Sequence, residues 1–282
     1  MYQLFNFETR NNEVVGYHFP CENPNHVVCI IHGIGEYAGR YDRMAGYFKE
    51  AGIAALSMDL RGHGKSTGKR GHAAPRNEVF KDIDALLDYA EKMYPGVPVI
   101  LYGHSMGGNL VLDYRARGGK NDVPEKYVVS APWVELVRQV SGALLTVVKL
   151  CSKIMPTFAI SSGCPEQFLG NLKMVLPYKG DPLVHDRVTM LCAYECFSIG
   201  NELAAGIHEN NGRAEGKPFL LMHGTDDRIC AIEGTRKVAK QYEGKPNFTY
   251  IEWPGYYHEI HNGGPEATGE EVIGTIVDFV KK

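Results

Sequence analysis

The spacing of apolar residues along the chain predicts strands that alternate with helices. Near the N-terminus, Tyr2–Phe7 and Glu13–Phe19 are expected to be strands joined by a turn at Asn11-Asn12. Six further β-branched, apolar runs predict strands: Val27–Ile31, Ala54–Met58, Val97–Tyr102, Lys126–Val129, Pro218–Met222 and Phe248–Trp253. The pattern therefore indicates a sheet of eight strands.

Segments with an apolar residue every three or four positions lie between these runs and predict helices. In Glu78–Met93 the apolar residues form one continuous stripe along the predicted helix. The other helical segments are Tyr41–Glu50, Met106–Ala116, Ala231–Tyr242 and Glu270–Val280. Because strands and helices alternate, we expect an α/β fold in which helices cover both faces of a mostly parallel sheet.

The alternation stops between Pro132 and Gly216. This stretch is rich in helix formers and apolar residues, carries Gly and Pro at its turns, and is flanked by two strand patterns. We expect a mostly helical insert that lies over the sheet as a cap. The predicted organisation is a first core part at 1–131, a helical cap at 132–216 and a second core part at 217–282.

Composition excludes several classes of function. The 282-residue chain has a net charge of −3, so it offers no basic field for nucleic acid. Its seven cysteines are irregularly spaced, which favours free thiols in a reducing cytoplasm over disulfides or a metal site. We find no secretory signal and no apolar run of membrane-spanning length. We expect a cytoplasmic protein without cofactor, metal or nucleic-acid partner.

The segment Gly103-His104-Ser105-Met106-Gly107 fits the G-x-S-x-G pattern of a nucleophilic serine. The pattern alone is weak, but here it directly follows a strand run and directly precedes a helical segment. A sharp turn between strand and helix lifts the serine oxygen out of the sheet and requires small neighbours. We therefore predict Ser105 as the nucleophile of an α/β-hydrolase fold, rather than a structural serine in a glycine-rich turn.

A nucleophilic serine needs a histidine that accepts its proton and a carboxylate that orients the histidine. In α/β hydrolases the chain order is serine, acid, histidine. Asp226 and Asp227 follow one predicted strand and His258 follows the next, so we predict Asp227 as the acid and His258 as the base. Asp226, which could also cap its own turn, and His261, on the same loop as His258, are the alternatives. His223 is expected to be a packed residue at a strand end.

The oxyanion of the reaction needs backbone N–H donors. The loop His32–Glu36 follows the third predicted strand, and we expect Ile34 to donate from it together with Met106, the residue after the nucleophile. The alternative is a simple glycine turn. The segment Asp59–Ser66 contains no G-x-S-x-G and is expected to be a structural turn.

Taken together, these motifs resemble the monoacylglycerol lipase and lysophospholipase group of α/β hydrolases. The loop His32–Tyr41 is the most specific match; the others are Asp59–Ser66, Gly103–Gly108, Asp181-Pro182-Leu183 and His223–Arg228. The resemblance implies a triad of Ser105, Asp227 and His258, with the amides of Ile34 and Met106 as the oxyanion hole.

The resemblance also implies a polar subsite for glycerol or a head group. Glu36 and Arg40 would lie there, although both could instead form an ordinary loop ion pair. His104, inside the serine motif, is a further candidate for substrate binding. Cys230 matches a cysteine near the site in some relatives, or it is a small buried packing residue. The chain departs from the group at Asp226, where a small or neutral residue is usual, and over most of the insert.

The predicted reaction is two-step acyl transfer on a carboxylic ester. An alkyl tail beneath the apolar insert would gain about 0.8 kcal/mol per buried methylene, which favours medium or long acyl chains. Together with this preference for longer chains, the resemblance implies monoacylglycerol or lysophospholipid as the substrate. Four apolar residues of the insert could also touch a membrane or micelle, or pack onto the core: Leu144, Leu145, Val148 and Ile154.

Rival interpretations keep the fold but change the substrate. They are a short-chain or feruloyl-type carboxylesterase, a thioesterase and an aminopeptidase-like amidase. A non-catalytic binding module would have a broken triad, and a dehalogenase would carry Asp in place of Ser105. A metal hydrolase is disfavoured because the chain lacks H-E-x-x-H or comparable ligand spacing.

Overall fold

The computed structural model describes residues 2–9 and 12–282 of the 282-residue chain. Its strands are β1 (Gln3–Thr9), β2 (Asn12–Phe19), β3 (His26–Ile31), β4 (Ile53–Met58), β5 (Val99–His104), β6 (Lys126–Ser130), β7 (Ala159–Ser161), β8 (Arg187–Thr189), β9 (Phe219–Gly224) and β10 (Phe248–Trp253). Eight of them form one sheet in the order β1-β2-β4-β3-β5-β6-β9-β10. The predicted eight-stranded sheet is confirmed, and Asn11 of the predicted first turn lies outside the described residues.

The sheet is mostly parallel, as predicted. β2 pairs antiparallel with β1 and β4, whereas the pairings from β4 onward through β3, β5, β6, β9 and β10 are parallel. The carboxyl ends of these parallel strands therefore lie at one edge of the sheet. In open α/β sheets this edge is where ligands bind.

Helices cover both faces of the sheet. They are α1 (Asp42–Glu50), α2 (Arg76–Met93), α3 (Met106–Arg117), α4 (Gly142–Ile154), α5 (Met190–Ala205), α6 (Ile232–Gln241) and α7 (Glu270–Lys281). α1 and α7 pack on one face, and α2, α3, α5 and α6 contribute to the core on the other. Alternate residues of β3 contribute to both faces. Val28 and Ile30 pack in the core with α1 and α7, and Cys29 and Ile31 pack in the core on the opposite face.

The apolar stripe predicted in α2 faces the sheet. Val79, Ile83 and Leu86 are fully buried, as a helix that covers one sheet face requires. Met93, at the end of the stripe, is 40% exposed because the helix ends there. Helical spacing therefore located this element to within two residues at its N-terminus.

The insert between β6 and β9 contains two helices, α4 and α5, which pack on each other. The segment between them, 155–189, holds only the small sheet of β7 and β8 and the short 3-10 helix Glu166–Phe168. Glycines and prolines recur along this segment and interrupt helix formation. The division of the chain at 131/132 and 216/217 stays a prediction. Within the described ranges, no helix is both long and apolar enough to cross a membrane.

Candidate active site

Ser105 occupies a sharp turn between β5 and α3. Its φ of 57° is unusual for a residue with a side chain. The turn can close only because glycines flank it: a Cβ atom at Gly103 would lie 2.4 Å from the Gly107 carbonyl oxygen, and one at Gly107 would lie 2.1 Å from that of Ile31. The Ser105 N–H also donates to the Ser130 carbonyl oxygen at 3.0 Å, which anchors the turn to β6.

Ser105, His258 and Asp227 meet at the carboxyl edge of the sheet. His258 Nε2 lies 2.8 Å from Ser105 Oγ, and His258 Nδ1 lies 2.7 Å from Asp227 Oδ2. Because a carboxylate only accepts hydrogen bonds, His258 carries its proton on Nδ1 and leaves Nε2 to accept the serine hydroxyl. Asp226 is exposed and accepts instead from the Thr225 hydroxyl at 3.0 Å.

Four N–H groups surround the Asp227 carboxylate. Oδ1 accepts from the backbone of Ile229 at 2.8 Å and of Cys230 at 3.0 Å. Oδ2 accepts from His258 and lies 3.0 Å from His223 Nε2. Burial alone would raise the pKa of Asp227, but His258 and His223 hold that pKa well below its usual range. The group is therefore ionised at neutral pH.

His258 has the electrostatics of a proton acceptor. Burial disfavours its charged form, but the charge of Asp227 and the hydrogen bond to it raise the pKa of His258 above its ordinary value. The competitor His261 stacks on Tyr41 with a centroid distance of 5.4 Å. Burial and the charge of Arg43 lower the pKa of His261 to about 3, so this ring stays neutral.

His223 has a second set of contacts that sequence reasoning missed. It is fully buried at the end of β9, as expected, but its Nε2 faces the Asp227 carboxylate. Its Nδ1 lies 2.7 Å from Thr235 Oγ1 on α6. A histidine four residues before a predicted acid, across a tight turn, was the available signal.

The two predicted oxyanion donors, Ile34 and Met106, lie beside Ser105. Gly33 and Ile34 line the same small cavity as Ser105. Among the described residues, no acceptor receives a hydrogen bond from the Ile34 N–H. The Met106 N–H lies in the first turn of α3, where helical N–H groups lack intrahelical partners. Both amides are therefore available to an oxygen beside Ser105.

The predicted substrate-binding residues are buried around this cavity. Glu36 Oε1 accepts from the Gly33 N–H at 2.6 Å and the Tyr41 hydroxyl at 3.0 Å. Its Oε2 lies 3.9 Å from Arg40 Nε, so the ordinary loop ion pair is present. The Arg40 guanidinium lies over the Tyr178 ring at 4.2 Å. The contacts that the structure shows for these two residues are therefore internal ones.

His104 and Cys230 are also buried next to the predicted triad. The His104 ring lies 4.8 Å from that of His258, and burial keeps the pKa of His104 well below its ordinary value. Burial and the charge of Asp227 raise the pKa of the Cys230 thiol. The thiol is therefore protonated and a poor nucleophile at neutral pH.

The cavity beside Ser105 is small. Its volume is about 10 Å³, which among the described residues leaves room for about one water molecule. Cys164, Leu169 and Tyr178 of the insert contribute to its lining. The cavity therefore has no room in this structure for the alkyl tail expected beneath the insert. The described ranges also hold no cluster of three or more His, Cys, Asp or Glu side chains suited to a metal ion.

Comparison with known proteins places this geometry in a family. Residues 22–264 match the family described as serine aminopeptidase, S33. A monoacylglycerol lipase of Mycolicibacterium smegmatis is 32% identical over 86% of this chain and 84% of its own length. An uncharacterized abhydrolase domain-containing protein of Dictyostelium discoideum is 31% identical over 93% of this chain, which spans only 27% of that longer protein.

A solved structure agrees with the sequence matches. The crystal structure of a Paleococcus ferrophilus monoacylglycerol lipase superposes with a TM-score of 0.81 and 30% identity, and covers 99% of this chain and 98% of the other. The chain belongs to the serine aminopeptidase S33 family and is a serine hydrolase of the α/β-hydrolase fold, as its motifs predicted.

Proposed function

We propose that this member of the S33 family hydrolyses monoacylglycerols that carry medium or long acyl chains, with Ser105 as nucleophile, His258 as base and Asp227 as orienting acid. One observation carries the proposal: an unbroken hydrogen-bonded path runs from Asp227 Oδ2 through His258 to Ser105 Oγ, with steps of 2.7 and 2.8 Å. The relatives named monoacylglycerol lipase support the choice of an acyl ester.

In the proposed reaction, Ser105 Oγ attacks the ester carbonyl carbon while His258 Nε2 takes the serine proton. Asp227 stabilises the imidazolium, and the Ile34 and Met106 N–H groups bind the carbonyl oxygen as it becomes negative. His258 then gives its proton to the leaving alcohol, and an acyl-enzyme remains. Water, deprotonated by His258, attacks the acyl-enzyme and releases the carboxylic acid and free Ser105.

The charge around the cavity favours a neutral head group. Glu36 and Glu259 both line the cavity and are 3% and 2% exposed. Burial first, and then the charge of Glu259, raise the pKa of Glu36 to about 7, so a negatively charged group is poorly stabilised here. The nearby cation, Arg40, already interacts with Glu36 and Tyr178. We therefore propose glycerol, rather than the phosphate-bearing head group of a lysophospholipid, as the alcohol.

Binding a long acyl chain requires the insert to move. Tyr178 lines the cavity and is held in place by its hydroxyl, which donates to Glu259 Oε1 at 3.1 Å. The loop after β10 that carries His258, which we call the base loop, is also bound to the insert. The Glu259 N–H in this loop donates to the Leu169 carbonyl oxygen at 2.5 Å. Breaking a few such hydrogen bonds costs about 1 kcal/mol each, which the burial of two or three methylenes would offset.

The outer face of α4 supports contact with a membrane or micelle, which we propose as the route of substrate entry. Leu144 is 51% exposed and Ile154 is 68% exposed, whereas Val148 is buried and Leu145 is half-buried. The four residues named from the sequence therefore divide between surface and core. Further exposed apolar side chains on this helix enlarge the patch: Val147 and Leu150.

We also propose a cytoplasmic location. The structure records all seven cysteines as free thiols. Free thiols are typical of a reducing compartment. Fractionation of the source cells tests this location. We expect to recover the protein from the cytoplasmic fraction with its thiols free.

The decisive experiment combines labelling with a substrate panel. A fluorophosphonate should label the wild-type protein on Ser105, and the modified peptide is identified by mass spectrometry. The rate constant kcat/KM is then measured for monoacylglycerols of increasing chain length, lysophospholipids, short-chain esters, thioesters and aminoacyl amides. We expect monoacylglycerols of ten or more carbons to be cleaved fastest. Faster cleavage of amides or acetyl esters would contradict the proposal.

A further inference from the structure

His223 is a buried histidine that the reaction above does not use. It is the fifth residue of β9 and has no exposed surface. Both ring nitrogens have partners: Nε2 lies 3.0 Å from Asp227 Oδ2 and 3.1 Å from the Cys230 carbonyl oxygen, and Nδ1 lies 2.7 Å from Thr235 Oγ1. Such complete satisfaction of a ring in the core indicates a fixed orientation.

The partners of His223 determine its tautomer. The ionised Asp227 carboxylate and the Cys230 carbonyl oxygen can only accept hydrogen bonds, so Nε2 must carry a proton. The other ring nitrogen, Nδ1, then accepts from the Thr235 hydroxyl, which lies on α6 and is itself fully buried. Thr235 therefore holds His223 in the form that donates to Asp227.

His223 contacts Asp227 Oδ2, the same carboxylate oxygen that contacts His258. Asp227 Oδ2 receives hydrogen bonds from both His258 and His223, whereas Oδ1 receives two from the backbone. With all four N–H groups in place, the carboxylate cannot rotate without losing at least two hydrogen bonds. The His223 N–H also draws negative charge away from Asp227 Oδ2.

We propose that His223 is a positioning residue of the triad, which holds Asp227 Oδ2 toward His258 and limits the negative charge that His258 experiences. The inference rests on the proposed function, since it assigns His223 a role in that reaction. Without the His223 donor, the carboxylate attracts the His258 proton more strongly. The pKa of His258 should then rise, and activity should be lost at a higher pH as the solution is acidified.

Other titratable groups also face the triad and stay unchanged in the variants below. They come from every element packed against it: Glu36 from the loop after β3, His104 from β5, Cys164 from the insert, Cys230 from the loop before α6, and Glu259 and His261 from the base loop. Because these groups are the same in wild type and variants, a difference between their pH profiles reports on the substitution at His223 or Thr235.

The test compares His223→Leu, which removes the donor, with His223→Gln, whose amide N–H can replace Nε2. Thr235→Val removes the hydroxyl that sets the tautomer. The matched control is His208→Leu, which removes a half-buried histidine whose Nε2 lies 2.9 Å from a carboxylate, that of Asp113. For each folded variant, kcat, KM and the rate of fluorophosphonate labelling are measured from pH 5 to pH 9.

For His223→Leu we expect kcat to fall by on the order of 10²-fold at most, with KM little changed, because only the geometry of the catalytic groups is disturbed. The acid limb of kcat/KM should move to higher pH. His223→Gln should recover part of kcat and return the limb toward its wild-type position, and Thr235→Val should move the limb in the same direction as His223→Leu but less. His208→Leu should lower stability and leave the limb in place.

An acid limb that stays in place in a folded His223→Leu protein would overturn the inference, as would an equal movement in His208→Leu. Failure of the proposed function gives a different result. In that case the wild-type protein itself fails to react with the fluorophosphonate at Ser105 or fails to cleave acyl esters. The two failures are therefore distinguishable.

Discussion

Substituting each of the two adjacent acids by asparagine separates the triad acid from its neighbour. Asp227→Asn keeps the shape of the side chain but removes its charge. The two backbone N–H groups of Ile229 and Cys230 require an oxygen at the Oδ1 position. The amide NH₂ must then occupy the Oδ2 position, where it meets N–H groups of His258 and His223.

This mismatch has a predictable effect on the base. To accept from the new NH₂ group, His258 must move its proton from Nδ1 to Nε2, and Nε2 then cannot take the proton of Ser105. We expect kcat to fall by on the order of 10⁴-fold, which is the loss known for this substitution in serine proteases and corresponds to about 5.4 kcal/mol. KM should change far less.

The sign of the pH effect provides a second readout. The charge of Asp227 raises the pKa of His258, whereas burial lowers it. Without that charge, burial dominates and the pKa of His258 falls, so the acid limb of the residual activity should move to lower pH. This is the opposite direction to the one expected for His223→Leu.

The control is Asp226→Asn. Asp226 is exposed and contacts only the neighbouring Thr225 hydroxyl among the described side chains. We expect stability within about 0.5 kcal/mol of wild type and activity within about twofold, since such surface changes are usually small. Measuring kcat and KM of both variants on monoacylglycerol shows which of the two acids orients His258. A larger loss in Asp226→Asn than in Asp227→Asn would refute the assignment of the acid.

Four other substitutions test separate parts of the structure. Ser105→Ala should abolish both turnover and fluorophosphonate labelling, and retained labelling would place the nucleophile elsewhere. Gly107→Ala should lower the free energy of unfolding by about 1–3 kcal/mol, measured in urea, because its Cβ would meet the Ile31 carbonyl oxygen. Glu259→Gln should raise kcat/KM for lysophospholipids relative to monoacylglycerols, whereas an unchanged ratio would argue against charge selection. Ile154→Asp should weaken binding to phosphatidylcholine vesicles in a flotation assay while hydrolysis of a water-soluble ester stays within about twofold of wild type.

Local sequence patterns predicted most of the secondary structure because those elements follow short-range rules. The stripe in α2 and the run that became β10 each have the period of one element, so their ends agree with the structure to within two residues. The insert was less predictable. In the segment 155–189, glycines and prolines break the helical period, and tertiary contacts rather than local preference decide the conformation.

The small cavity also had no local signal. The apolar composition of the insert suggested room for an acyl chain, yet Leu169 and Tyr178 line the small cavity beside Ser105 and leave little space in it. Their position follows from hydrogen bonds to the base loop, which is about 80 to 90 residues away along the chain. Composition cannot show such pairing, because it records which side chains are present and not which ones meet.

By itself, the sequence determined the strand-turn-helix that carries Ser105 and the order in which the predicted acid and base follow it, since glycine spacing and apolar period act within a few residues. Only the tertiary structure decided that Asp227 rather than Asp226 faces His258, and that His223 shares the same carboxylate oxygen. The physical reason is that adjacent residues of a turn point in different directions. Which of them becomes buried and paired depends on β9, β10 and α6 packing together, through contacts that no short stretch of chain contains.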